Sequence, residues 1–110
     1  MFANCSKFTS FKGDLSSLTE SYGMFYNTKL TSFSTDLPSL TYGNGMFENC
    51  KNLTSFYSDL SSLTDGREMF RHCSKLTSCP FPLSNLTNGN SMFSYCYELE
   101  TFYNDLSSLT

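Results

Sequence analysis

The side chains best equipped for chemistry in this chain are five cysteines, a single histidine and a recurring aspartate. Cysteine and histidine together could hold zinc, but no C-x-x-C pair exists and His72 is the only histidine. Cys50, Cys73 and Cys96 follow one another at 23-residue steps, and Cys5 shares their local context. A set of cysteines at one offset points to packing, because a free thiol behaves as a small buried hydrophobe. The fifth, Cys79, stands where other segments carry Phe. A disulfide between neighbours such as Cys73 and Cys96 would need their Cα atoms to approach to about 4.4–6.8 Å. Asp14, Asp36, Asp59 and Asp105 each precede Leu-x-x-Leu-Thr. Stacked carboxylates could chelate calcium, yet turn capping of backbone N–H groups accounts for the same residues. Pro82 interrupts the series in any case. Catalysis has no support: there is no second His, no Gly-x-Ser-x-Gly and no phosphate loop, and the aspartates recur instead of forming one cluster. The chain reads as a non-enzyme without metal or cofactor. Asn4-Cys5-Ser6, Asn52-Leu53-Thr54 and Asn85-Leu86-Thr87 match the glycosylation sequon, a weak signal in a chain so rich in Asn, Ser and Thr.

What positions these residues is a repeat. Met-Phe occurs at Met1, Met24, Met46, Met69 and Met92, with steps of 23, 22, 23 and 23 residues. Such a period marks a solenoid, here with units 1–23, 24–45, 46–68, 69–91 and 92–110 in a single domain. Apolar columns follow: Phe8, Leu30, Leu53, Leu76, Leu99; then Phe11, Phe33, Phe56, Cys79, Phe102; then Leu15, Leu37, Leu60, Leu83, Leu106; and Leu18, Leu40, Leu63, Leu86, Leu109. The 22-residue step reflects one residue missing between Met24 and Leu30, and with it the cysteine. A single unit has one layer of backbone and cannot bury these side chains alone. Stacked units can, each against the same columns above and below.

Local chemistry suggests the shape of a unit. Leu53-Thr54-Ser55-Phe56-Tyr57 is β-branched and aromatic and fits a short strand closed by a turn at Asp59. Gly43, Gly66 and Gly89 mark a second bend. From Gly66 to Cys73 the spacing of Met69, Phe70 and Cys73 predicts about two turns of helix. The expected fold is therefore an α/β repeat: five stacked turns with a parallel β-sheet face and short helices.

The pattern M-F-x-x-C-x-x-L-T-S-F-x-x-D-L-S-S-L-T-x-G resembles the BspA-like class of leucine-rich repeats over the whole chain. The resemblance implies a curved leucine-rich-repeat solenoid and roles in adhesion or protein binding at cell surfaces. Two departures stand out. Ser58 and Asp59 occupy positions where the family strand continues with an aliphatic residue and often Pro, and unit four carries Cys79-Pro80-Phe81-Pro82. No catalytic residue carries over.

Composition narrows the partners. Net charge is −3, with only seven Lys plus Arg scattered among the units, which argues against a nucleic-acid footprint. No apolar run approaches the roughly 18 residues of a membrane span, and the N-terminal residues do not form a signal peptide. The chain is expected to be a fragment, to lack its export signal, or to act inside the cell; the family resemblance favours an extracellular or cell-surface place. Period-2 alternation puts Ser10, Ser32, Ser55, Ser78 and Thr101, and beside them Lys12, Ser34, Tyr57, Pro80 and Tyr103, on an exposed sheet face suited to a protein or cell-surface ligand. Solvated residues with good strand propensity would look the same. A rival role is structural. Phe2, Phe8 and Phe11 at one end, and Phe93, Leu99 and Phe102 at the other, keep the columns that inner units bury, so end-to-end stacking into a filament is expected of uncapped ends.

Overall fold

A computed structural model describes residues 2–79 and 82–102, with only the backbone at 78, 79, 101 and 102. Pro80 and Tyr103 of the expected sheet face lie outside the described residues, as do the side chains of Ser78, Thr101 and Phe102. Four two-residue strands recur at the repeat interval: β1 (Ser32–Phe33), β2 (Ser55–Phe56), β3 (Ser78–Cys79) and β4 (Thr101–Phe102). β1 pairs in parallel with β2 and β3 with β4, always column on column, as in Phe33 opposite Phe56. The sheet divides between β2 and β3. In the rung before the division Tyr57 N–H donates to the Phe33 carbonyl at 2.9 Å. The residue at the equivalent place one rung later is Pro80, which has no N–H to give. Further round each rung, single parallel bridges link Glu20, Tyr42, Asp65 and Asn88.

The expected helices do not form. Among the described residues there is no helix, and the Gly66–Cys73 segment is a chain of turns. Met69, Arg71 and Cys73 donate to the carbonyls three residues back, while Glu68, Phe70 and His72 donate to Asn90, Met92 and Ser94 of the next rung. Alternate amides thus point inward along the chain and outward along the stack. Glu68 (φ 56°) and His72 (φ 65°) are left-handed, which breaks any run of α-helical residues. The same two places are left-handed in other rungs: Gly23, Gly45, Glu68 and Ser91 form one column, and Asn4, Asn27, Asn49, His72 and Tyr95 the other.

The core consists of ladders. Phe25, Phe47 and Phe70 are fully buried. Their rings stack with those of Phe2 and Phe93 at successive centroid distances of 5.6, 5.4, 5.6 and 5.5 Å. Phe11, Phe33 and Phe56 make a second stack at 6.0 and 5.5 Å. The two stacks meet edge to face, as at 4.8 Å between Phe33 and Phe47. Each such ring contact adds about 0.5–1.5 kcal/mol beyond burial, and burial itself contributes roughly 1.5–3 kcal/mol per side chain. Leu30, Leu37, Leu40, Leu53, Leu60, Leu63 and Leu76 complete the interior, all at 0% exposure.

Candidate functional site

The cysteine column is structural at Cys50, Cys73 and Cys96, whereas Cys5 in the first rung is exposed. Thiols of Cys50, Cys73 and Cys96 donate to the carbonyls of Phe25, Phe47 and Phe70, each at 3.1 Å. Each therefore ties the start of one rung to the Met-Phe of the rung before it. Thr28 takes the same column in unit two, buried and 3.4 Å from Cys50 Sγ. The residue missing from that unit thus lies between Thr28 and Leu30, and the cysteine has been replaced, not deleted. Burial pushes the Cys50 and Cys73 thiols up, and that of Cys96 to about 11, so none is poised as a thiolate.

Asp14, Asp36 and Asp59 are engaged by backbone, and Asp105 lies outside the described residues. Asp14 and Asp59 accept the N–H two residues on, at Ser16 and Ser61, both at 2.9 Å. Asp36 accepts the N–H of Asp59 in the next rung at 3.0 Å. Bonds from Ser16 and Ser61, hydroxyl first and then N–H, hold Asp14 and Asp59 below the ordinary carboxylate range.

On the sheet face, Ser10, Lys12, Ser32, Ser34, Ser55 and Tyr57 are all exposed, Tyr57 to 67%. Register places Ser32 beside Ser55, and Ser78 beside Thr101 by backbone. Next to them the threonines form their own ladder: Thr54 Oγ1 donates to the Thr31 carbonyl and Thr77 Oγ1 to that of Thr54, at 3.1 and 3.4 Å. Hydroxyl groups in two adjacent columns thus line a strip on which, among the described residues, Tyr57 is the one phenol.

A second surface was invisible in the sequence because it depends on the left-handed columns. The Asn27 amide donates to the Asn4 Oδ1 and Asn49 to Asn27, both at 2.9 Å. The column then turns aromatic, with the His72 and Tyr95 rings stacked parallel at a centroid distance of 4.3 Å. Arg71 lies 5.6 Å over the Tyr95 ring and pairs with Glu68 and Glu48 at 3.2 and 3.4 Å. Tyr97, exposed to 77%, stands edge-on to Tyr95 at 6.1 Å. The only sequence-level signal for this cluster was the recurrence of Asn at one offset.

The residues named for end stacking sit at the two ends of the ring ladders. Phe2, Phe8, Phe11, Phe93 and Leu99 are half-buried against the core. Phe2 and Phe8 stack at 5.0 Å, and both rings face Phe25, at 5.6 and 5.9 Å.

Comparison with known families gives a match to the BspA-type leucine-rich repeat region over residues 1–105, in 6 copies, where the Met-Phe spacing marks five units. No match was found among curated proteins or among solved structures.

Proposed function

Because the chain belongs to the BspA-type leucine-rich-repeat family, we propose that it is a non-catalytic protein-binding or adhesion module of a cell-surface protein. The contact surface in this reading is the sheet face: Ser10, Lys12, Ser32, Ser34, Ser55, Tyr57, Ser78, Pro80, Thr101 and Tyr103. The observation that carries it is the exposed Tyr57 ring, standing at 67% exposure beside an in-register strip of hydroxyls. An amphipathic ring held by a rigid scaffold supplies contact area at little entropic cost. Binding of the fluorescently labelled chain to intact cells, read by flow cytometry, tests this. Tyr57→Ser combined with Ser32→Arg should lower binding at least about tenfold, the scale of losing an interface anchor. Unchanged binding by a variant with an unchanged melt would remove the sheet face from consideration.

A second reading is structural: subunits stacked end to end into an extracellular filament. It rests on Phe2, Phe8 and Phe11, half-exposed where the equivalent Phe25, Leu30 and Phe33 are buried. Phe93, Leu99 and Phe102 would meet them from the other end. Another rung of the same kind, from a longer chain or from a second copy, would cover them.

A further inference from the structure

Basic residues that look scattered in the sequence are gathered by the fold. Lys7, Lys29, Lys51 and Lys75, four of the five lysines, occupy the equivalent short connection in four successive rungs. Each lies between the cysteine column (Thr28 in unit two) and the strand. In three of those rungs the connection is a turn, closed by Phe8, Leu53 and Leu76 N–H donating to the carbonyls of Cys5, Cys50 and Cys73. All four lysines are exposed, and among the described residues none is in an ion pair. Within these four rungs the surrounding segments hold no carboxylate: residues 4–10, 27–32, 49–55 and 72–78 contain neither Asp nor Glu. A chain of net charge −3 therefore carries an edge that is cationic over four rungs, with Glu98 and Glu100 of the fifth rung the acids that continue its columns. Rungs of a parallel stack are about 4.8 Å apart, so the four lysines span roughly 14 Å in a straight line.

We propose that this edge binds a linear acidic polysaccharide, its sulfate or carboxylate groups on Lys7, Lys29, Lys51 and Lys75 and a sugar face on Tyr97. The flanking columns favour a sugar over an acidic peptide. On one side runs the Asn4–Asn27–Asn49 amide ladder, in which each donating amide has a second N–H to offer. On the other runs the threonine ladder, whose hydroxyl oxygens can still accept. Donors and acceptors in rows beside the cations suit a ligand with hydroxyls along its whole length. The fifth rung ends the cationic run with Tyr97, Glu98 and Glu100, and the 77% exposed Tyr97 ring offers an uncharged stacking surface there. A single-stranded nucleic acid is disfavoured, since it needs an aromatic platform for successive bases and the columns flanking Lys7, Lys29 and Lys51 present Asn and Thr instead.

The test is calorimetric titration of the 110-residue chain with a heparin-derived dodecasaccharide, beside neutral dextran, polyglutamate and an oligothymidylate of similar length. The dodecasaccharide is expected to bind most tightly of the four, and more weakly as salt screens the lysines. Lys29→Gln with Lys51→Gln should cost roughly 25-fold in affinity, about fivefold for each basic side chain facing an anionic surface. Arg67→Gln removes the same unit of charge at another bend, where Arg67 pairs with Asp65 at 3.0 Å, and should change affinity by no more than about twofold. Tyr97→Ser should weaken the dodecasaccharide and leave polyglutamate unchanged. Circular dichroism confirms that each variant is folded, as substitutions at exposed turn residues allow. The proposal fails if the native chain does not bind the dodecasaccharide, or if Arg67→Gln weakens binding as much as the lysine pair. Tighter binding of polyglutamate or the oligothymidylate would overturn it in favour of another class of polyanion.

Discussion

Single residues in this stack are read twice, once by their own rung and once by the next. Glu68 shows the cost of a mismatch. It sits at φ 56° in a column where units one and two end in Gly23 and Gly45, and a side chain in that conformation costs roughly 1–2 kcal/mol. Its ion pair with Arg71 is exposed, 47% on the Glu68 side, and such pairs return only about 0–1 kcal/mol. Glu68→Gly is therefore expected to stabilise the chain by about 1 kcal/mol in a urea melt; a loss would mean that the Arg71 network outweighs the backbone. The buried thiols give a second residue-scale expectation. Cys50→Ala or Cys73→Val should leave the fold intact under reducing agent and EDTA alike, at a cost of about 1–2 kcal/mol for one thiol hydrogen bond and some packing. Native thiols stay neutral above the pH at which unfolded ones ionise, about 8.5. Their contribution is complete below that pH and is lost as pH climbs toward the folded value, about 11 at Cys96. Melting temperature should thus fall between about pH 9 and 11, and fall less in a variant with Cys50, Cys73 and Cys96 replaced by Ala.

At the level of the rung, inside and outside follow the repeat. Leu60 is fully buried and Tyr57 67% exposed, although only two residues separate them. Leu60→Asp places an unpaired carboxylate in a leucine ladder and should cost more than about 4 kcal/mol, close to all the stability of a small domain. Tyr57→Ser should cost under about 0.5 kcal/mol; equal losses in denaturant would reverse the two faces. The columns of Phe and Leu were legible because burial by stacking demands the same type at the same offset. Parallel pairing was legible for the same reason, Phe33 on Phe56 being a repeat apart. The helix expected from Gly66 to Cys73 was not. Its i, i+3, i+4 apolar spacing fits a helix and a chain of turns equally well, and only the left-handed backbone at Glu68 and His72 separates them. Neither residue is a glycine, so only Gly23, Gly45 and the recurrent Asn4, Asn27 and Asn49 of other units hinted at the bend. The lysine edge and the Arg71–His72–Tyr95–Tyr97 cluster were hidden too, since both come from columns that are polar and variable in type.

Across the whole molecule, the backbone ladders run in opposite senses. N–H groups of the Met-Phe turns, such as Phe25 to Met46, donate toward later rungs, and those of the strand side, such as Thr54 to Thr31, toward earlier ones. Any rung therefore offers donors and acceptors on both of its faces, and two faces of this kind are complementary when set top to bottom. The side chains agree. Phe25, Phe47 and Phe70 are buried between rings above and below, whereas Phe2 and Phe93, at the two ends of the same stack, are only half-buried. Stacking one end on the other would restore the 5.4–5.6 Å ring spacing of the interior and continue the hydrogen-bond ladders without a change of register. Such a head-to-tail contact need not close on itself, so association is expected to proceed beyond the dimer as concentration rises. Sedimentation velocity across a wide concentration range measures this directly. Species larger than the 12.4 kDa monomer are expected, and Phe2→Glu with Phe8→Glu should suppress them by placing charge against an apolar face. A companion variant, Lys7→Gln, leaves that face apolar and should associate like the native chain. A single non-associating species at every concentration would refute the stacking of ends.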